Sequence, residues 1–344
     1  MKELLSKLTE SKGVSGSEEE VRKLIKEEVE SQADDIEIDS TGNLIVKKGK
    51  GDPELLLVAH MDQIGLAVKS IDEQGFIRFS KIGGIDDRTL VNQRVKVIPD
   101  SGEEVTGVIS VKPPHLLEEE EKKNPYKKKE MFIDVGASEK EEVEEMGIQP
   151  GDFIVYDRTF EELGKEDRVT SLAFDNRVGC LMLIEALKRF DEDYTLYAVF
   201  STQEEVGLKG AKTSAFRIDP DVALAVDTTV AGDLPNVSDE ESPLKLDEGP
   251  VFDFIEAGGR GLIAPENIRK WLKETAKGND IDYQISVMDG GMTDAARVYL
   301  EKGGIPTGTV SIPVRNIHSC VEVMDMNDVE KGIDLLEALF GSFN

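Results

Sequence analysis

The most regular feature of the chain is a set of short, unbroken apolar runs that each end on polar or ionisable groups. Leu55-Leu56-Leu57-Val58-Ala59 delivers His60-Met61-Asp62, and Leu196-Tyr197-Ala198-Val199-Phe200 runs into Ser201-Thr202-Gln203-Glu204-Glu205. Val222-Ala223-Leu224-Ala225-Val226 ends on Asp227, and Thr307-Gly308-Thr309-Val310-Ser311-Ile312 leads towards Asn316-Ile317-His318. Continuous apolar runs of this length predict strands buried on both faces, as in a parallel sheet. Such sheets place their ligands beyond the carboxyl ends of the strands, where these four runs stop. Packing does not call for charged or imidazole groups at four strand ends. A shared metal site does.

Elsewhere the pattern changes character along the chain. Val21, Leu24, Ile25 and Val29 recur at helical spacing behind Ser17 and Glu20, a capping-box signature. Short strands are predicted around Ile36–Ile38 and Leu44–Val46. From about residue 70 to 163, alternating runs such as Phe76-Ile77-Arg78-Phe79, Arg94–Ile98 and Glu104–Ile109 are separated by Gly, Asp and Pro. That texture predicts a small β-barrel or sandwich. Strand–helix alternation resumes after Leu163-Gly164. The expected fold is therefore α/β, a mixed sheet covered by helices over 1–69 and 164–344, interrupted by a β-rich domain over 70–163. The charged stretch Glu118 to Glu130 reads as a solvated loop.

Composition narrows the classes. The 344 residues, 39% hydrophobic with 31 glycines, suffice for one large domain and a smaller one. No window approaches the roughly 20 apolar residues that span a bilayer. The start, Met1-Lys2-Glu3-Leu4-Leu5-Ser6-Lys7, lacks the features of a signal peptide. Two cysteines, Cys180 and Cys320, fit a reducing cytoplasm. Seventy Asp and Glu against 41 Lys and Arg give a net charge of -29, which argues against nucleic acid or an anionic membrane as partner.

The candidate chemistry gathers at the strand ends. Asp175 stands just before an apolar helix, Leu181 to Phe190. Together His60, Asp175, Glu205, Asp227 and His318 offer two imidazoles and three carboxylates. That set suits two divalent ions, with one carboxylate bridging them at about 3.5–4 Å. Zinc fits the mixture best, with cobalt or manganese as substitutes. Glu204, next to a ligand, is free to act as general base towards water. Asp62 is placed to orient the His60 imidazole. A single histidine is more often structural than a ligand; two among matching carboxylates reverse that weighting. Cys180 reads as a core residue, Cys320 as a remote candidate for a soft ligand, and His115 as structural or interfacial. Arg260, in the turn Ala257-Gly258-Gly259-Arg260-Gly261, is a candidate for meeting a peptide carboxylate or main chain.

These motifs in this order resemble the TET aminopeptidases, relatives of the glutamyl and leucyl aminopeptidases. The resemblance spans essentially the whole chain. It is carried by His60-Met61-Asp62-Gln63-Ile64-Gly65, Ile82-Gly83-Gly84, Lys112-Pro113-Pro114-His115, Ala173–Gly179, Gln203-Glu204-Glu205-Val206-Gly207, Asp227, Gly290–Ala295 and Ile317-His318-Ser319. It implies that His60 and Asp227 hold one ion, Glu205 and His318 the other, and Asp175 bridges. It further implies Glu204 as base, Asp62 as its counterpart behind the first histidine, and hydrolysis of the N-terminal bond of short peptides. The inserted domain would mediate dimerisation, and dimers would build a tetrahedral dodecamer. The expected preference is for neutral or hydrophobic first residues such as Leu.

Three positions depart from the family pattern: Asn176 where a second aspartate is usual, Asn316 where an aromatic residue is frequent, and Cys320 where a proline is common. None removes a ligand. Alternative readings are a glutamyl- or aspartyl-preferring aminopeptidase, and a deblocking or carboxypeptidase-type dinuclear hydrolase. A silent assembly protein would require a lost ligand or base. Some relatives carry an endoglucanase label, but glycoside hydrolysis needs a positioned acid/base carboxylate pair and no metal.

Overall fold

The computed structural model describes residues 1–100, 102–165 and 167–343. The chain divides into two compact units. The first comprises Met1–Asp62, Thr159–Ile317 and Val321–Asn344, and the second Gln63–Arg158 with His318–Cys320.

The first unit is built on an eight-stranded mixed sheet. Its strands lie in the order Asp35–Ile38, Leu44–Gly49, Thr195–Ser201, Glu54–His60, Val222–Val230, Thr307–Val314, Val251–Ile255 and Gln284–Val287. The four runs singled out by the apolar pattern are the four central strands, and they pair in parallel. Their side chains from Leu55 to Ala59, Leu196 to Phe200 and Ala223 to Val226 are almost all buried, which explains why no polar alternation marks them. The helix Phe174–Arg189 packs on the Glu54–His60 and Val222–Val230 strands and against Met326–Ser342. It is apolar around most of its circumference, as a helix covered on all sides must be.

Register sets the chemistry. Ser201 pairs with His60, and Asp227 pairs with Ser311. His60 and Asp227 each follow by two residues the paired positions Val58 and Ala225. All four groups therefore lie on one row, which takes in the last residues of Glu54–His60 and Thr195–Ser201 and positions three residues before the ends of Val222–Val230 and Thr307–Val314.

The expected capping box is not made. The helix begins at Glu19, its first position has no side-chain cap, and Glu20 Oε1 instead accepts from the Lys12 backbone N at 3.1 Å. The residues ahead of that helix serve another purpose, taken up below.

The second unit is a closed antiparallel barrel, with Gly65–Ile71, Ile77–Ile82, Phe132–Asp134, Val105–Ser110, Arg94–Ile98 and Phe153–Tyr156 in that order. Ile77, Val95, Val97, Ile109, Ile133 and Ile154 are fully buried within it. The charged stretch 118–130 forms two short 3-10 turns with exposed side chains, cross-linked by pairs such as Lys122–Glu119 and Lys123–Glu120. Exposed pairs of this kind contribute little to stability.

Candidate functional site

Around His60 the first unit gathers carboxylates from three separate elements. Nε2 of His60 lies 3.2 Å from Asp175 Oδ1, 3.7 Å from Asp227 Oδ1 and 4.0 Å from Glu204 Oε2. His60, Glu204 and Asp227 each present one donor atom within 4.8 Å of the others, and the donor atoms of Asp175 and Glu205 are equally close. The other ring nitrogen is backed by Asp62, with Nδ1 3.1 Å from its carbonyl oxygen and 3.5 Å from its carboxylate. A proton held at Nδ1 leaves the Nε2 lone pair facing the carboxylates, the arrangement that metal-binding histidines adopt.

The electrostatics are those of a cation site. Burial opposes charge on His60, but Glu204, Asp175, Asp227 and Asp62 carry its pKa well above the usual imidazole value. Burial raises Glu204, and Asp227, Asp294 and Glu205 push the same way against the pull of His60. Burial likewise raises Asp227, with Asp175 adding to it. Two carboxylates about 4 Å apart repel by about 4 kcal/mol at an effective dielectric constant near 20. Divalent cations relieve that repulsion, and oxygen plus imidazole donors are the set that zinc and its neighbours accept. The residues present fit such ions.

Asp62 is fully buried and still holds its proton loosely. Burial alone would raise its pKa, yet hydrogen bonds from His60, Ser15 and the Glu204 N–H bring it below the ordinary value. Ser15 Oγ donates at 2.5 Å, the Glu204 N–H at 2.9 Å and the Glu205 N–H at 3.3 Å. One carboxylate thus orients the imidazole and pins the backbone of both glutamates. The segment leading to them is fixed residue by residue. Ser201 Oγ donates to Asp294 at 2.5 Å, the Thr202 N–H to Asn43 Oδ1 at 2.9 Å, and the Gln203 N–H to Glu18 Oε1 at 3.3 Å. Gln203 takes φ +55°, a left-handed conformation that costs energy in a residue with a Cβ. That turn separates Glu204 and Glu205 from the strand.

Asp175 precedes the regular part of its helix, and Asn176 secures it there. The Asn176 Nδ2 donates to the Val226 carbonyl at 2.8 Å, while its Oδ1 accepts from the Gly179 N–H at 2.9 Å. The amide uses both its donor and its acceptor, which an ionised aspartate could not do. This gives the departure from the family pattern a physical reason. Cys180 is buried and its thiol, pushed up to about 12 chiefly by burial, donates to the His60 carbonyl at 3.3 Å. It is a core residue.

His318 groups with the barrel unit, where Nδ1 lies 3.0 Å from the Gly84 carbonyl oxygen. A Cβ on Gly84 would come 3.0 Å from that same Nδ1, so the Ile82-Gly83-Gly84 motif admits no larger residue without movement. On either side of His318, Arg315 and Val323 exchange backbone hydrogen bonds at 2.9 and 3.0 Å within the first unit. His318 itself takes φ +58°. Arg260 is exposed and donates from Nε to the Ala257 carbonyl at 3.0 Å and from Nη2 to the Asp289 carbonyl at 3.4 Å, two of the five N–H groups of its guanidinium. Ser15, Glu18, Asn43 and Asp294 escape a reading of the sequence because their partners lie about 90 to 185 residues away, or 47 for Ser15. Only Asp294 sits in a visible motif.

Comparison with known proteins places this geometry. Residues 42–335 match the family model described as M42 glutamyl aminopeptidase. An aminopeptidase structure from the archaeon Desulfurococcus kamchatkensis superposes with a TM-score of 0.95 at 43% identity, over 99% of this chain and 94% of that one. The lysyl aminopeptidase of Pyrococcus furiosus is 37% identical over 98% of this chain and 96% of its own length. The TET1 peptidase of Pyrococcus horikoshii, which can assemble into a tetrahedron or a large octahedral shell, superposes with a TM-score of 0.88 at 37% identity, over 98% of each chain.

Proposed function

The chain belongs to the M42 glutamyl aminopeptidase family, and from that premise we propose that it hydrolyses the first bond of short peptides with a free N-terminus, using two divalent metal ions. The observation that carries this reading is the cluster of Asp175, Asp227 and Glu204 within 4.0 Å of the His60 Nε2. His60 and Asp227 would hold one ion and Glu205 and His318 the other, with Asp175 contributing its carboxylate beside them. Zinc suits these donors best, with cobalt or manganese able to replace it. When bound, the ions polarise the scissile carbonyl and ease deprotonation of the attacking water.

Glu204 takes the proton of that water and returns it to the departing amine. Its side chain is only 10% exposed, and burial raises its affinity for the proton it must carry between the two steps. Asp62 keeps His60 in the tautomer that faces the carboxylates and accepts the backbone N–H groups of both Glu204 and Glu205. Arg260 is assigned to the peptide main chain or carboxylate.

The preferred first residue is neutral or hydrophobic, such as Leu. Arg315 is committed to Asp233 through bonds of 2.8 and 2.5 Å. A cavity of about 330 Å³ opens two residues beyond Asp227. Its walls include Val230, Leu244 and Val287 beside Glu240, Glu241 and Asp289, and no lysine or arginine among the described residues. Apolar and acidic walls disfavour an acidic side chain. A glutamyl- or aspartyl-preferring enzyme, or a deblocking hydrolase, are the readings to exclude. The barrel unit is assigned to dimerisation, and dimers to a dodecamer. No helix among the described residues is long and apolar enough to cross a membrane; with two free thiols, a reducing cytoplasm is the proposed location.

A panel of aminoacyl fluorogenic substrates, free and N-acetylated, with and without chelator, tests the reading. The expected result is metal-dependent release from free Leu substrates and none from acetylated ones. Faster cleavage of Glu or Asp substrates overturns the preference, and equal cleavage of acetylated substrates overturns the aminopeptidase assignment.

A further inference from the structure

The segment Gly13–Glu18, between the helices Lys2–Glu10 and Glu19–Val29, reaches two of the motifs that build the site. Ser15 and Glu18 are 6% and 5% exposed, deep for polar residues in a connecting loop. Ser15 Oγ donates to Asp62 Oδ2 at 2.5 Å. Glu18 Oε1 accepts from the Gly16 N–H at 2.7 Å and from the Gln203 N–H at 3.3 Å. A third motif fixes the chain immediately ahead of the segment. Arg177, fully buried, donates from Nη1 to the Leu8 and Ser11 carbonyls. A Cβ on Gly13 would lie 2.6 Å from Arg177 Nη2 and 2.8 Å from Val21 Cγ1, so a larger residue there would force the buried guanidinium or Val21 to move.

We propose that Ser15 and Glu18 are positioning residues, which set the Asp62 carboxylate and the Gln203 turn and through them the aim of His60, Glu204 and Glu205. The inference rests on the roles proposed for those three residues. A buried carboxylate keeps one orientation only when its oxygens are supplied with hydrogen-bond donors. The other donor to Asp62 Oδ2 is the Glu205 N–H, at a weaker 3.3 Å, so Ser15 is the stronger constraint on that oxygen. Without Ser15 the carboxylate can rotate, and the imidazole and both glutamate backbones move with it. Glu18 acts on the turn itself. It accepts the N–H of Gln203, the residue held at φ +55° immediately before Glu204. Small errors in such supporting groups are costly because ligands and base must sit within a few tenths of an ångström of their working positions. Two side chains from the N-terminal loop thus act on a centre whose proposed ligands come from five other parts of the chain.

The test uses the full chain, stripped of metal and reloaded, as Ser15→Ala, Glu18→Ala and Glu18→Gln. Zinc affinity is measured by competition with a chromophoric chelator, kcat and KM on a Leu substrate, and folding by the urea midpoint. Ser15→Ala should weaken zinc binding about 10–100-fold, the usual loss for a partner behind a metal ligand, and lower kcat with KM within about twofold. Glu18→Ala should lower kcat by about tenfold. Glu18→Gln, isosteric and still offering an oxygen to the Gln203 N–H, should recover most of that loss. Wild-type zinc affinity and kcat in both alanine variants would overturn the proposal, as would a Glu18→Gln variant as impaired as Glu18→Ala. If Ser15→Ala fails to fold, the isosteric Glu18 pair decides. If the parent chain binds zinc but cleaves no peptide, the functional reading fails, and zinc affinity alone decides the positioning claim.

Discussion

Glu204 and Glu205 are neighbours in the chain with different environments, and the work proposed for them differs. Glu204 Oε2 stands 4.0 Å from the His60 Nε2, while a Glu205 oxygen lies within 4.8 Å of one from Asp175. Glu204→Gln should therefore bind metal normally and lose on the order of 10²–10⁴ in turnover. Glu205→Gln should instead need more metal to reach the same activity, because an amide is a poorer ligand. Metal titrations followed by activity separate the two, and near-normal turnover in Glu204→Gln would contradict the assignment. At this scale the sequence is a good guide to ionisable groups at strand ends and a poor one to their supports. His60, Asp62 and Asp227 announce themselves by interrupting apolar runs. Ser15 and Asn43 do not, because a serine or asparagine in a loop is ordinary until folding shows what it touches.

At the scale of elements, the hydrophobic pattern carries most of the fold. The four predicted strands are the central strands of the sheet, and the run Arg94–Ile98 coincides with a barrel strand. What stayed hidden has a physical cause. The barrel strand Gly65–Ile71 follows the His60 segment without a change of texture, so the compact unit begins at Gln63 whereas the pattern shifts near residue 70. Ser17 and Glu20 carry a helix-start signature, yet tertiary bonds claim Glu20 and its neighbours. The junction of the Phe174–Arg189 helix with the Asp227 strand depends on a close approach. A Cβ on Gly179 would collide with Asn176 Oδ1 and lie 2.7 Å from the Val226 carbonyl. Gly179→Ala should cost about 1–3 kcal/mol, the usual price of overpacking a core, read as a lower urea midpoint; an unchanged midpoint would contradict that packing.

The Met326–Ser342 helix adds a pH dependence. Asp328 is fully buried and accepts from the Asp247 and Gly249 N–H groups, each at 2.7 Å. Burial, helped by Asp325 and Asp247, raises its pKa to about 7. A carboxyl raised on folding favours the native state while protonated, so its contribution is complete below the ordinary value near 4 and declines as pH rises towards 7. Asp328→Asn should flatten that part of the stability curve between pH 4 and 7 in urea titrations. An identical slope in the variant would remove Asp328 as its source.

For the whole molecule, the net charge of -29 opposes association. Salt screens exposed charges beyond about 8–10 Å, so assembly should tolerate physiological ionic strength and weaken at low salt. Light scattering at moderate salt is expected to report a particle of about twelve chains, and removal of the 63–158 barrel to abolish it. A monomer at every salt concentration would contradict the assembly proposed. The fold-level likeness to self-assembling peptidases was not visible in charge or composition, which by themselves favour a dispersed chain.

Two divalent ions, held by His60, Asp175, Glu205, Asp227 and His318, are proposed to make this chain a peptide hydrolase. The most direct measurement strips the protein of metal, confirms its fold, and returns Zn²⁺ or Co²⁺ stepwise while following release of Leu from a peptide with a free N-terminus. Cleavage should be negligible at the start and saturate as occupancy approaches two ions per chain. Full cleavage by the metal-free protein would contradict that role for the ions.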